Sequence, residues 1–181
     1  MKSWSDICQP KRCGGLGLRK FQDMNLALLA KQYWMILQKE DKACVHIMLS
    51  KYCHSTDAWD VEKHGGDLRG WQGLLATRLI CHDGAGFLIG NGDIEMWDRP
   101  WIPRKSIEEI KLSFKYNRRH AFWKVSDLFL DGTKAWNEDI IRACFEEEVA
   151  RSILQIRPLI ETNDVLFWKS SNSGKFSVKS A

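Results

Sequence analysis

The sequence predicts a mostly helical α+β protein with two short β-hairpins, at about 87–97 and 164–178, and three observations carry that expectation. Apolar residues recur with a helical period over 22–39, 43–52, 68–80 and 137–148. Short apolar runs flank Gly90-Asn91-Gly92 and Ser170-Ser171-Asn172-Ser173-Gly174, residues that supply the backbone angles of tight turns. At 181 residues and 44% hydrophobic content, the chain is long enough to bury a core, as one domain or two small ones.

Taken in order, the segment from Trp4 to Leu18 is expected to be irregular. Pro10 and the Gly14-Gly15-Leu16-Gly17 run both oppose a helix there. The helix over 22–39 has Met24, Leu28, Leu29, Met35 and Ile36 on one side, with Leu26, Tyr33 and Leu37 widening it. So broad an apolar face implies burial on more than one side. The helix over 43–52 turns Val45, Met48, Leu49 and Tyr52 inward, and 54–66 reads as a loop. The helix over 68–80 carries Trp71, Leu74, Leu75 and Leu79 on one stripe and stops at His82–Gly86.

Residues 104–122 are charged and irregular, and 123–130 form a short helix or turn. Asn137 then caps a helix whose first acids, Glu138 and Asp139, suit its positive dipole end; a short turn to Ile156 follows. Val165 and Phe167, then Phe176 and Val178, are read as the alternate, inward positions of a half-buried sheet. The pattern breaks off at Ala181 without a helix or cap, as expected of a segment cut from something longer.

The formal charge of +4 is mild, but its distribution is uneven. Residues 1–56 hold nine Lys/Arg against four acids, while the remainder is close to balance. Lys11, Arg12, Arg19 and Lys20 flank the glycine run, and Arg118, Arg119 and Lys124 gather near Trp123. Two readings stand for these groups: a solvated basic face, the commoner arrangement, or contact with phosphates. The nine tryptophans form no fixed repeat and read as local core anchors rather than as base-stacking platforms. The opening residues lack the apolar run of a signal peptide, and no stretch reaches the roughly 18 apolar residues of a membrane span. An intracellular chain with six free thiols, without membrane attachment, is expected.

The residues that could carry chemistry argue against a catalytic centre. Asp57/Asp60 and Asp127/Asp131 have suggestive spacings but no flanking motif, and Glu146–Glu148 is a charge run at a helix end. Metal-dependent phosphoryl transfer needs carboxylates converging on Mg²⁺ beside a strand turn. Cys8/Cys13, Cys44/His46, Cys53/His54 and Cys81/His82 contain no paired C-x₂-C or H-x₃₋₅-H knuckle; Cys44 and Cys53 read as buried thiols of an apolar face. No orienting Asn or Asp block accompanies any Cys-His pair. The glycine run lacks the Lys-Ser/Thr of a phosphate-binding loop. No catalytic residue, no metal ligand and no cofactor is therefore expected.

Four stretches, WSDICQPKRCGGLGLR (4–19), NLALLAKQYW (25–34), IGNGDIEMWDRPWIP (89–103) and GKFSVKSA (174–181), resemble successive blocks of plant non-LTR, LINE-type retroelement reverse transcriptase polyproteins. They are also similar to retroelement-derived reading frames of plant mitochondrial genomes. The resemblance implies the region between the polymerase core and a zinc-binding segment. It divides the chain into a basic, thumb-like connecting segment (1–56), a helix-plus-hairpin unit (57–135), and a helix with a terminal hairpin (136–181). The partners it implies are the upstream polymerase core, the downstream zinc-binding or RNase H modules, and RNA or RNA–DNA duplex held by its backbone. A structural or protein-interaction remnant without nucleic-acid affinity is the alternative. Lys20 stands where Asp or Asn is usual in that family, Arg99 where Asp precedes the Pro-Trp pair, and Phe87 in place of a common Trp.

Overall fold

The computed structural model describes residues 3–9, 11–18, 20–116, 123–159 and 162–181. The described chain is mostly helical with one two-stranded antiparallel sheet, the α+β class that the sequence predicts. It gathers into two compact units, Met1–Gly84 with Ser170–Ala181, and Ala85–Lys169. These boundaries fall at different residues from the three segments marked out by the resemblance.

The first unit opens with α1 (Trp4–Ile7), where a helix was not expected. Ser3 accepts the Asp6 amide and Asp6 accepts the Ser3 amide, so a reciprocal capping box satisfies amides that so short a helix leaves orphaned. A 3₁₀ turn at Lys11–Cys13 follows. The central element is α2 (Phe21–Leu37), which packs against α3 (Ala43–Tyr52), α4 (Arg69–Leu75) and α5 (Arg78–Gly84). Ala27, Ala30, Tyr33, Trp34, Ile36 and Leu37 form its buried face, while Phe21, Met24, Leu26 and Leu28 are exposed. The expectation that α2 is buried on more than one side holds for its last turn, where Tyr33, Trp34, Ile36 and Leu37 are all buried, and is corrected for its mostly exposed first half.

The loop over 54–66 has no regular structure, yet Ala58, Trp59 and Val61 are buried. It is held at two backbone carbonyls near its middle. Tyr33 donates its hydroxyl to the Ala58 carbonyl at 2.6 Å, and the Arg78 guanidinium donates to the Val61 carbonyl. The single helix expected over 68–80 is two helices. At the break, the buried Thr77 directs both its hydroxyl and its amide to the Leu74 carbonyl, a local alternative to the helical ladder.

In the second unit, β1 (Ala85–Leu88) pairs with β2 (Val165–Trp168), from Ala85 opposite Trp168 to Leu88 opposite Val165. The first arms of the two expected hairpins thus pair with each other, and neither hairpin forms. The Gly90 and Gly92 amides both donate to one oxygen of the Asp164 carboxylate, at 2.6 and 3.0 Å, so the Gly-Asn-Gly segment is a clamp rather than a two-residue turn. The following residues run beside 123–126 instead: Met96 donates to the Trp123 carbonyl and Val125 to the Ile94 carbonyl. Residues 175–178 form no strand; they belong to the first unit, where Phe176 stacks on Trp34 with centroids 6.0 Å apart.

The stretch after Arg104, expected to be irregular, contains α6 (Ile107–Leu112). Ser106 and Glu109 cap it reciprocally, a Ser-x-x-Glu signature readable in the sequence. Val125–Leu128 is a 3₁₀ turn, and the helix expected over 137–148 is α7 (Glu138–Cys144) followed by α8 (Glu147–Leu154). The core of this unit joins Met96, Trp97, Trp101, Ile110, Phe114, Phe145 and Ile153 among others.

Candidate nucleic-acid interface

The cations singled out in the sequence fall into two sets, and the structure places four of the seven. Arg19, Arg118 and Arg119 lie outside the described residues. Lys11 and Arg12 sit on the exposed 3₁₀ turn, and Lys20 is exposed at the start of α2. Among the described residues none of these three makes an ion pair, in contrast to Lys39, Lys42, Lys105, Lys111, Arg142 and Arg151.

The glycine run braces this loop. Leu16 donates to the Ile7 carbonyl at 2.8 Å and Gly17 to the Gln9 carbonyl at 2.9 Å, folding the chain back on α1. Gly15 is required by closeness: a Cβ there would stand 2.0 Å from the Gln9 carbonyl oxygen. The loop therefore holds its own shape and leaves Lys11 and Arg12 outward. Fixed backbone with free charged ends suits contact with a phosphate backbone, which needs cations and no base-edge readout.

Lys20 has a cost to the fold. It occupies the N-cap of α2 with extended backbone angles and makes no side-chain capping bond, and its charge faces the positive end of the helix dipole. Lys20→Asn is expected to stabilise the chain by about 1 kcal/mol, read as a raised Tm. If Lys20 touches phosphate, the same variant loses affinity, so stability and binding move in opposite directions.

Lys124 differs from the other three. It pairs with Asp93, and its hydrogen bond to that carboxylate is the largest influence raising its pKa. Both side chains are at least half exposed, so solvent screens the pair and it competes only weakly with an anion. Trp123 beside it and Trp4 near the first set are exposed, whereas Trp34, Trp59, Trp71, Trp97, Trp101 and Trp168 are buried. The reading of tryptophans as core anchors describes those six and the half-buried Trp136, which packs against the core, and not the exposed two.

The first carboxylate of each suggestively spaced pair has structural partners. Asp57 pairs with Lys39 and accepts the Trp59 amide, while Asp127 accepts the amides of Trp123 and Lys124. Glu147 pairs with Arg142, which holds its carboxyl below the usual range, and Glu148 pairs with Lys105. Among the described residues no group of three or more His, Cys, Asp or Glu stands together as a metal would require.

All six cysteines are free thiols. Cys44, expected to be buried, is exposed, and Cys53 is half-buried; the buried pair is Cys81 and Cys144. Burial raises the Cys81 thiol to about 12 while its S–H points at the Ala30 carbonyl, 3.5 Å away. Among the described residues no helix is long and apolar enough to cross a membrane.

One further feature was not read from the sequence. In the second unit, Gly86, Phe87, Pro100, Trp101, Pro103, Phe167, Arg104 and Lys169 line a cleft of about 250 Å³. Only the fold brings these residues together, since β2 is distant in sequence from β1 and from the Pro100–Arg104 strap.

Fold and surface together define a mostly helical α+β protein carrying an exposed cationic loop braced by glycines. Among known proteins, the chain is similar to an Arabidopsis thaliana protein described as "Putative ribonuclease H protein", with 28% identity over 189 residues that take in 98% of this chain. The chain spans 29% of that relative's length. No protein-family model matches the chain, and no solved structure matches it.

Proposed function

We propose that this chain is a non-catalytic segment of a plant retroelement reverse transcriptase polyprotein, and that it contacts the template–primer backbone. The observation that carries the reading is the set of exposed cations Lys11, Arg12 and Lys20, unpaired among the described residues, on and beside the braced loop. The four ordered sequence blocks and the plant relative matched along nearly all of the chain support the origin. Of the blocks, the one over 89–103 supplies core: Met96, Trp97, Trp101 and Ile102 are all buried. Of the carboxylates considered for metal binding, Asp127 caps a turn and Asp57, Glu147 and Glu148 are ion-pair partners, which supports a non-catalytic role. In such a polyprotein the chain's neighbours are the upstream polymerase core and the downstream zinc-binding or RNase H modules.

Binding to a generic RNA–DNA duplex is expected to weaken linearly with the logarithm of salt. Changing Lys11, Arg12 and Lys20 together to Ala reduces that slope by about one for each phosphate that is no longer neutralised. An unchanged slope would place the binding surface elsewhere. Nucleotide incorporation by the purified chain in a primer-extension assay with Mg²⁺ or Mn²⁺ would overturn the non-catalytic reading.

A second reading, a protein-interaction segment, is favoured by one observation. Phe21, Met24 and Leu28 lie one helical turn or two apart along α2 and are all exposed, forming an apolar stripe open to a partner. Absence of duplex binding at low salt is the result that selects it.

A further inference from the structure

We infer that the cleft in the second unit takes one unstacked nucleobase of a single strand, with its phosphate on Arg104 and Lys169. The inference rests on the nucleic-acid reading above and deepens it, from backbone contact to capture of a single-stranded base. The cleft's volume, about 250 Å³, lies below the roughly 300–1,000 Å³ of pockets for drug-sized ligands, so it suits a single ring system. Its walls are aromatic and proline rings: Phe167 and Phe87 are half-buried, Trp101 closes the floor, and Pro100 and Pro103 flank it. Gly86 makes the arrangement possible, because a Cβ there would come within 2.6 Å of the Phe167 ring.

The chemistry of the lining selects among occupants. No side chain there carries a hydroxyl, amide or carboxyl group, and the Trp101 indole N–H is already given to the Met96 carbonyl at 2.9 Å. Pro100 and Pro103 have no amide hydrogen to offer. An extended peptide would find few partners for its own amides, whereas a nucleobase presents two apolar faces to rings and keeps its polar edge toward water. The charged groups lining the cleft are both cations, which suits a phosphate and opposes an unpaired cationic ligand. Arg104 adds a backbone observation. It is exposed, makes no ion pair among the described residues, and sits at φ 61°, in the left-handed region that non-glycine residues rarely enter. A base held by stacking alone is bound without regard to its identity.

The test uses the whole chain and two probes at low salt: fluorescent oligo-uridine, and a blunt RNA–DNA duplex that presents no free base. Arg104→Gly is the informative variant, because glycine accepts the positive φ and the fold is left intact or stabilised. It is expected to weaken oligo-uridine binding about tenfold while leaving duplex binding and Tm unlowered. Phe167→Leu, which keeps bulk and removes the ring, is expected to act in the same direction. Oligo-uridine binding that survives both variants, while Lys11, Arg12 and Lys20 to Ala still weakens duplex binding, overturns this inference alone. Binding of neither probe by the unaltered chain overturns both readings. An acidic aromatic peptide bound in the Arg104-dependent manner, with oligo-uridine unbound, overturns the nucleobase in favour of protein contact.

Discussion

Trp101→Ala is expected to lower the stability of the Ala85–Lys169 unit by about 4 kcal/mol, the largest effect of any single change considered. Trp101 is 1% exposed, and its indole N–H satisfies the Met96 carbonyl, in a core that also holds Trp97, Phe114 and Phe145. Truncation removes the transfer free energy of the indole, leaves a cavity among rings that cannot close over it, and orphans a buried carbonyl. Whole domains are stable by about 5–15 kcal/mol, so a loss of this size consumes a large share. Thermal unfolding would register it as a fall of about 4–8 °C per kcal/mol for a unit of this length. Trp101→Phe, which keeps most of the volume, separates the two contributions, and its cost is expected to fall well below that of alanine. A Tm for Trp101→Ala indistinguishable from that of the unaltered chain would show that Trp101 is not a centre of this core.

The second large effect falls on the clamp around Asp164. Asp164→Ala is expected to cost about 3 kcal/mol, because one carboxylate oxygen accepts both the Gly90 and the Gly92 amides, and bonds to a charged group are worth about 1.5–3 kcal/mol each. Asp164→Asn keeps an acceptor oxygen in place but removes the charge, so about half of the loss is expected. Gly90→Ala attacks the same clamp from the other side. Its Cβ would stand 2.4 Å from the Thr162 carbonyl oxygen and 2.5 Å from the Asn163 carbonyl carbon, so backbone must move rather than a flexible side chain. Denaturant unfolding of the three variants should rank Asp164→Asn as the mildest. Equal stability of Asp164→Ala and the unaltered chain would remove the clamp from the account of how β1 and β2 meet.

These two sites also show why part of the architecture was legible and part was not. Helix α2 was readable to within two residues at each end, and α3 to its terminal residues, because a run of good helix formers with a helical apolar period needs no distant partner to be recognised. Helix α6 was readable in principle through Ser106 and Glu109, a capping box that the high charge of the segment obscured. Of the four strands expected, the two that form were marked by short apolar runs, but a strand's pairing partner is not encoded in its own residues. The Gly90-Asn91-Gly92 motif that locally specifies a hairpin turn has its amides drawn to Asp164, more than seventy residues away. A similar override splits the helix expected over 137–148. Phe145 is extended and bridges Phe114, with the Glu146 amide bonded to the Ser113 carbonyl at 2.8 Å, so packing in the core outweighs local helix propensity.

The candidate interface divides along the same line. Lys11, Arg12 and Lys20 were identifiable from charge and their nearness to the glycine run, since a loop's cations are exposed almost regardless of fold. The cleft was not, because Gly86, Trp101, Arg104 and Phe167 become neighbours only when β1 pairs with β2. Nor could composition say which tryptophans would be buried. By itself, then, the sequence determined the mostly helical α+β class, the places of α2, α3 and the two strands that form, and the basic loop, all properties of neighbouring residues. The tertiary structure decided strand partners, the interruption of two helices, the open face of α2 and the aromatic cleft. Each of these depends on contacts between residues far apart in the chain, whose free energy exceeds the fraction of a kcal/mol per residue that local propensity supplies.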